Sequence, residues 1–183
     1  MGVKGAVLGV DPGFGVTGYG ILTAQAGHAE ILDCGYLKLS SKKHLSVRVS
    51  EFYDFFCDII EKRRATVLPI THVAIETSFL GKNAQVFLKL GYLRGILYLV
   101  ANKNNLDISE FPPRTVKNSV TGYGGAGKDQ VAFMLHNMFP RLKDFGATLR
   151  NDVTDAVAIA LCGVWNQKDQ ELAERIKKAE SAN

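Results

Sequence analysis

The chain has 183 residues, of which 46% are hydrophobic and 22% charged, and its formal net charge is +4. This length and composition predict one globular domain with a substantial hydrophobic core. No apolar run is long and unbroken enough to cross a bilayer, and the N-terminus lacks the basic and apolar segments of a secretion signal. The three cysteines, Cys34, Cys57 and Cys162, lack a paired metal-ligand spacing. We therefore expect a cytoplasmic protein with reduced thiols and no membrane association.

The positive charge is concentrated in one part of the chain. Between Lys82 and Arg150 there are ten Lys and Arg residues against four Asp and Glu, whereas the remainder of the chain nets −2. A cationic surface of this kind is expected of a protein that binds a phosphate backbone. It is equally compatible with an ordinary soluble surface, so charge by itself leaves the two interpretations open.

The first predicted strand, residues 6–10, is apolar and ends abruptly at Asp11-Pro12-Gly13. Such an end holds a carboxylate at the edge of a rigid central element, where a functional site can use it. An Asp-Pro-Gly sequence can also be an ordinary turn with Asp as its first residue. Residues 16–24 and 29–39 predict two further strands, and their close spacing predicts an antiparallel meander.

A helix is predicted from Leu45 to Arg63, because its aromatic and aliphatic residues recur at helical spacing. The next strand, residues 72–76, ends on Glu76. Since a helix precedes it, this strand can lie parallel to the first one. Glu76 and Asp11 are then expected at the same carboxyl-terminal edge of the sheet, where ligands usually bind in open α/β sheets.

The next predicted elements alternate between helices and one short strand. The helix at 83–102 is predicted from the helical spacing of Phe87, Leu90, Leu97 and Val100, and it carries Gly91 and Gly95 four residues apart on one face. Such glycines most often allow a bend or the close approach of another helix. The elements after it are a strand at 107–111, a helix opened by Pro112-Pro113, a mobile glycine-rich loop at 121–127 and a helix at 128–139.

The last apolar helix begins near Asn151, a good capping residue, and is apolar on all sides up to Leu161. Asp152 and Asp155 share one of its faces. Acidic residues in a first turn often only complement the helix dipole, but unpaired carboxylates on a buried face call for a cation. We expect one domain over residues 1–166 and a charged, exposed helical tail over 167–183.

Four carboxylates therefore converge in the predicted fold, on Asp11, Glu76, Asp152 and Asp155. Oxygen ligands without His or Cys suit Mg²⁺ or Mn²⁺ rather than zinc. Two such ions about 4 Å apart activate a water and stabilise the leaving oxygen of an in-line phosphodiester displacement. Beside a basic half of the chain, this chemistry indicates hydrolysis of nucleic acid.

Motifs in order over about 150 residues, from Gly9 to Leu161, resemble the RuvC family of crossover junction endodeoxyribonucleases, which resolve Holliday junctions. The matching segments are Gly9-Val10-Asp11-Pro12-Gly13, Thr17-Gly18-Tyr19-Gly20, Ala74-Ile75-Glu76, Asn83-Ala84, Leu88-Lys89-Leu90-Gly91, Arg94-Gly95, Val116-Lys117, Gly122-Tyr123-Gly124, Lys128, Gln130-Val131, Asp152 and Asp155-Ala156.

The resemblance implies an α/β, RNase H-like fold: a five-stranded mixed sheet flanked by helices on both faces. It implies a structure-selective endonuclease that cuts four-way DNA junctions symmetrically in recombination and repair, leaving 5′-phosphate and 3′-hydroxyl ends. It also implies a homodimer, two Mg²⁺ ions per site with Mn²⁺ able to substitute, and a junction-binding and branch-migration helicase complex as partner.

The resemblance also assigns residues. The family's four metal ligands fall on Asp11, Glu76, Asp152 and Asp155, and the family's lysines near the scissile phosphate fall on Lys117 and Lys128, with Lys128 in the catalytic set. The DNA contacts implied are Phe79, Lys82, Asn83, Lys117 and Lys128, with Lys89 and Arg94 as weaker candidates. Without the family, Phe79 could pack on its own domain and the lysines could be ordinary solvated side chains.

The helix at 83–100 resembles the element at the family's dimer interface, which would give Gly91 and Gly95 a purpose. The chain departs from many members there, because it carries Gln85, Val86 and Phe87 and then Tyr92 and Leu93 where small or polar residues are common.

Three alternative functions are weighed against this one. Another RNase H-like nuclease, acting on RNA or plain duplexes, shares the four acids and is disfavoured by the full set of motifs. An actin-like sugar kinase or ATPase needs a second domain and a second phosphate loop, which this chain lacks. A silent DNA-binding module has no use for four converging acids.

Overall fold

The computed structural model describes residues 5–25, 27–77, 84–145 and 150–180. This part of the chain forms five strands, namely β1 (Ala6–Asp11), β2 (Val16–Gln25), β3 (His28–Lys38), β4 (Ile70–Glu76) and β5 (Asp107–Phe111). Its α-helices are α1 (Leu45–Arg64), α2 (Ala84–Lys103), α3 (Pro113–Thr121), α4 (Lys128–Met138) and α5 (Asn151–Glu180), with a short 3₁₀ helix at Pro140–Phe145. The predicted elements are confirmed in type and order.

The strands form one sheet in the order β3-β2-β1-β4-β5. β1 pairs antiparallel with β2, and β2 with β3, because short turns join them. β4 pairs parallel with β1 and with β5, because a helix precedes each of the strands added on that side. The predicted meander, the parallel β1–β4 pair and the five-stranded mixed sheet are all confirmed.

The sheet separates two hydrophobic layers, so successive side chains along a strand pack into opposite layers. In β1, Val7 packs into the layer built with α3, α4 and α5, whereas Ala6, Leu8 and Val10 pack into the layer built with α1 and α2. This period of two is the one expected for a strand buried on both faces. Helices therefore cover both faces, as predicted.

Helix α1 fits its prediction closely. Phe52, Phe56, Ile59 and Ile60 are buried against the sheet, and Phe55 meets Tyr19 edge-on at 5.7 Å between ring centroids. The aromatic stripe is therefore core. The cysteines are also free, as expected, with Cys34 and Cys162 buried and Cys57 intermediate.

Helix α2 is confirmed over nearly the predicted range. Its C-terminal half packs inward through Leu93, Leu97 and Val100, whereas Phe87 is 37% exposed. The helix is also long and apolar enough to meet the length and composition criteria for a membrane span, contrary to our expectation. Four of its residues, Leu93, Leu97, Val100 and Ala101, are buried within the fold.

The loop after α3 is irregular, as predicted. Gly122 ends α3 with φ +73°, a left-handed conformation that glycine adopts at little cost. Gly127 then caps α4, and its backbone N–H donates a hydrogen bond of 2.8 Å to the side-chain oxygen of Gln130. Ala126 between them is buried. The mobility of this loop stays a prediction.

Helix α5 begins one residue earlier than the predicted cap at Asn151 would allow. The carbonyl of Arg150 accepts the hydrogen bonds of the Val153 and Thr154 N–H groups, so Arg150 occupies the cap position and Asn151 is the first helical residue. The helix runs unbroken across the proposed boundary at 166 to Glu180. The division into a domain and a charged tail stays a prediction.

Candidate active site

Two carboxylates lie side by side at the end of the parallel strands. The β1–β4 register runs up to Val10 opposite Ile75, so the next step along each strand brings Asp11 opposite Glu76. Asp11 lies two and four residues beyond Gly9 and Val7, and Glu76 two beyond Ala74, so both side chains face the α5 layer. Adjacent strands are about 4.8 Å apart, which brings the two carboxylates together at one edge.

Two glycines bring α5 close to this edge. A Cβ atom on Gly9 would lie 2.4 Å from the carbonyl oxygen of Ala156, and one on Gly18 would lie 1.9 Å from the carbonyl oxygen of Asp152. Both distances are far below normal contact, so these positions admit only glycine unless the helix moves. The backbone of α5 thus rests directly on β1 and β2, and its first turns carry Asp152 and Asp155 to the strand ends.

The turn after β1 has its own support. The hydroxyl of buried Thr17 accepts from the Gly13 N–H at 3.1 Å and donates to the Gly13 carbonyl at 2.9 Å. The chain bends after Asp-Pro-Gly, and the Thr17 hydroxyl holds that bend. The use of Asp11 at a functional site stays a prediction.

The four carboxylates share one electrostatic environment. Burial raises the pKa of Asp11 to about 7, and the negative charges of Asp155, Glu76 and Asp152 add to that rise. Burial and Asp155 likewise raise the pKa of Glu76, against the opposing charges of Lys128 and Lys117. The structure therefore brings together the four acids that the sequence analysis singled out.

Cations surround the acids. The ammonium Nζ of Lys128 donates to Asp155 Oδ2 at 2.9 Å, and Nε of Arg150 donates to Asp152 Oδ2 at 3.3 Å. Lys117 joins Lys128, Glu76 and Asp155 in the lining of a cleft of about 240 Å³. Its remaining lining is mainly apolar, from Pro113, Val116, Val131, Ala158 and Ile159.

The donor set fits a hard divalent cation. All four acidic side chains offer oxygen, and the pKa of Asp11 is raised first by burial and then by its anionic neighbours. As the side chains stand, no three Asp, Glu, His or Cys groups within the described ranges converge closely enough to enclose an ion. Lys128 and Arg150 hold Asp155 and Asp152 toward themselves, so ligation requires rotation of those two carboxylates.

The structure places the weaker DNA-contact candidate Arg94 inside the fold and pairs Arg150 with one of the acids. Arg94, considered as a DNA contact, has a side chain only 14% exposed and is paired with Glu110, so it faces the fold rather than solvent. The pairing of Arg94 with Glu110 and that of Arg150 with Asp152 could not be predicted from the sequence, because no motif links these residues to their partners. Lys89 is exposed, as a DNA contact must be. Phe79, Lys82 and Asn83 lie outside the described residues, so their predicted DNA contacts stay predictions.

The sheet order, the helices on both faces and the acidic cleft are those of an RNase H-like nuclease. The structure of Thermus thermophilus RuvC in complex with Holliday junction substrate matches with a TM-score of 0.78 and 26% identity, covering 90% of this chain and 96% of that one. The yeast mitochondrial Holliday junction resolvase shares the fold, with a TM-score of 0.60 at 17% identity over 87% of this chain and 77% of its own.

The sequence relationship is closer. Residues 7–163 match the family described as crossover junction endodeoxyribonuclease RuvC. The RuvC protein of Chlorobium phaeobacteroides is 40% identical over 94% of this chain and 89% of its own length, and that of Legionella pneumophila (strain Lens) is 35% identical over 85% and 84%. The chain belongs to the RuvC family of crossover junction endodeoxyribonucleases. The recognised family and the RNase H-like fold are thereby confirmed.

Proposed function

We propose that this chain cuts the two opposing strands of a four-way DNA junction symmetrically, one strand in each of two identical acidic clefts. Membership of the family makes it an endodeoxyribonuclease that resolves Holliday junctions and depends on a metal ion. The observation that supports the mechanism is the close approach of the four carboxylates to one another, with Glu76 and Asp155 lining a cleft together with Lys117 and Lys128.

Asp11, Glu76, Asp152 and Asp155 would hold two Mg²⁺ ions, with Mn²⁺ able to substitute. The bound ions supply the Lewis acidity that activates a water and stabilises the leaving 3′-oxygen of the phosphodiester. Lys128 approaches the same acids from the first turn of α4, and Lys117 approaches Glu76 from α3. Their ammonium groups hold the scissile phosphate and offset the charge that develops on it.

The surrounding surface supports binding to DNA. Two cations of the positive surplus between Lys82 and Arg150, Lys117 and Lys128, line the cleft from α3 and α4. We assign Phe79, Lys82, Asn83 and Lys117 to contacts with the junction, with Phe79 stacking on an unpaired base for about 1–3 kcal/mol. A branch-migration helicase complex that presents the junction, and a cytoplasmic location beside the chromosome, complete the proposal.

A second copy of the chain is proposed to dock on the outer face of α2, defined by Leu88, Gly91, Tyr92, Gly95 and Leu99. These residues lie opposite the inward side of the helix, and Leu88, Tyr92 and Leu99 are 56%, 41% and 46% exposed. Among the described residues, no atom comes within 4 Å of a Cβ built on Gly91 or Gly95. A contiguous apolar face of this kind is typical of an interface, and two copies provide the two clefts that symmetric cleavage needs.

The proposal is tested with a labelled mobile four-way junction, a matched linear duplex and an RNA–DNA hybrid, each incubated with Mg²⁺ or with chelator. Paired symmetric nicks in the junction alone, absent with chelator, are expected. Asp11→Asn is expected to abolish cleavage yet retain junction binding in a mobility-shift assay, because it removes a ligand charge and leaves the basic surface. Cleavage of duplex or hybrid would overturn the substrate, and loss of binding in Asp11→Asn would make Asp11 structural.

A further inference from the structure

Arg94 of α2 connects the acidic site to the opposite face of the sheet. Its Nη1 group donates a hydrogen bond to the backbone carbonyl of Glu76, and its Nη2 group lies 2.5 Å from Oε2 of Glu110. One planar guanidinium thus spans two acceptors, which is the geometry that arginine provides and lysine does not. The carbonyl belongs to the same residue whose carboxylate faces the acidic cleft.

The Glu76 carbonyl needs such a partner because the sheet ends there. The register of β4 with β1 runs only to Ile75, and on the other side the Thr77 N–H already pairs with the Phe111 carbonyl at 2.9 Å. This strand end is therefore held by β5 on one side, where Glu76 lies opposite Phe111, but not by the β1 ladder on the other. A shift of Glu76 would move its carboxylate at the acidic site. The Arg94 hydrogen bond fixes this end from the α2 side of the sheet.

Arg94 is itself held in place. Glu110 lies opposite Ile75 in the β4–β5 pair, so its side chain faces α2, and the hydroxyl of Tyr98 donates to its other carboxylate oxygen. Burial acts to raise the pKa of Glu110, but the hydrogen bonds from Tyr98 and Arg94 more than offset it and the pKa lies below its ordinary value. The side chains of Arg94 and Glu110 are only 14% and 28% exposed, so this ion pair is shielded from solvent.

We infer that Arg94, supported by Glu110 and Tyr98, is a positioning residue that holds Glu76 in its metal-ligating place through the Glu76 backbone carbonyl. The inference rests on the proposed function, since it takes Glu76 to be a ligand. Groups that orient a metal ligand typically change metal affinity by 10- to 100-fold when removed.

The test measures Mn²⁺ binding to the protein without DNA, by the loss of the free-ion electron paramagnetic resonance signal. Arg94→Gln is expected to weaken Mn²⁺ binding about tenfold. Arg94→Lys keeps the charge but reaches only one acceptor, so its Mn²⁺ affinity is expected to lie between those of Arg94→Gln and the wild type. In junction cleavage, the Mg²⁺ concentration for half-maximal rate is expected to rise by a similar factor, with most of the maximal rate recovered at saturating Mg²⁺.

Arg64→Gln is the matched control, because Arg64 is an exposed arginine that pairs with Glu61 and Asn104 on the far end of α1. It is expected to leave Mn²⁺ affinity unchanged.

If Arg94→Gln fails to fold, Glu110→Gln and Tyr98→Phe replace it, because each removes a contact that holds the arginine without removing the arginine itself. Both variants are expected to weaken Mn²⁺ binding by a smaller factor.

The outcomes separate the inference from the function on which it rests. Wild-type affinity in the folded Arg94 or Glu110 variants, with or without a lower melting temperature, would overturn the inference and leave the nuclease intact. A wild-type protein that neither binds Mn²⁺ nor cleaves the junction would overturn the proposed function itself.

Discussion

At the scale of single residues, the pKa of Asp11 shows how burial beside other acids changes a carboxylate. Burial and three neighbouring carboxylates raise its pKa from 3.8 to about 7. Without a metal ion, the folded protein therefore binds a proton at Asp11 over a pH range in which the unfolded chain has already lost it. Since the folded state binds more protons there, its stability falls as the pH rises from about 4 to about 7.

The first prediction concerns Asp11→Asn in chelator. An amide does not titrate, so the variant is expected to be more stable than the wild type at pH 8, by at most on the order of 4 kcal/mol, with the difference shrinking toward pH 4. Mg²⁺ at pH 8 is expected to stabilise the wild type and not the variant. Urea unfolding at several pH values, with and without Mg²⁺, measures both effects. A variant less stable by the same amount at every pH would show that Asp11 is simply structural.

At the scale of elements, the site depends on how closely α5 approaches the sheet. Asp152 and Asp155 sit on the first turns of this helix, and Gly18 on β2 lies directly beneath the Asp152 carbonyl. A side chain at position 18 therefore cannot be accommodated without lifting the N-terminal end of α5. That end carries half of the acidic set.

The second prediction is that Gly18→Ala both destabilises the protein and impairs cleavage. Overpacking costs about 1–3 kcal/mol, and a displacement of about 1 Å at a reacting group can lower the rate about 100-fold. Thermal unfolding and single-turnover junction cleavage measure the two effects. Gly15→Ala is the control, because no described atom lies within 4 Å of a Cβ there, and it is expected to change neither. A Gly18→Ala enzyme with the wild-type rate would contradict the close approach of α5.

At the scale of the whole molecule, one domain offers one cleft, and a junction requires two cuts. The outer face of α2 is the apolar surface proposed to join two copies. It is exposed because α2 buries only its inward side, through Leu93, Leu97 and Val100.

The third prediction is that Leu88→Glu combined with Leu99→Glu converts the protein to monomers in light scattering, because each glutamate would be buried unpaired in the interface. The monomer is expected to lose paired nicking of the junction while its melting temperature stays near that of the wild type, since both side chains are exposed within one chain. Val67→Glu is the control: Val67 is 97% exposed and lies between α1 and β4. An unchanged dimer in the double variant would place the interface elsewhere.

The sequence by itself determined the elements and the four acids. Hydrophobic periods of two and 3.6, turn residues and the carboxylates that end β1 and β4 are local signals. The parallel direction of β4 follows from the helix before it. Those signals were enough to bring Asp11, Glu76, Asp152 and Asp155 to one edge. The ordered motifs then identified the family.

The tertiary structure alone decided which partners these residues meet. The link from Arg94 to the Glu76 carbonyl, the pairing of Arg150 with Asp152, and the contact of Gly18 with α5 join residues by position in space. The exposure of Phe87 likewise depends on which elements pack against α2. Helical spacing predicts which residues share a face, but only packing determines whether another element covers that face.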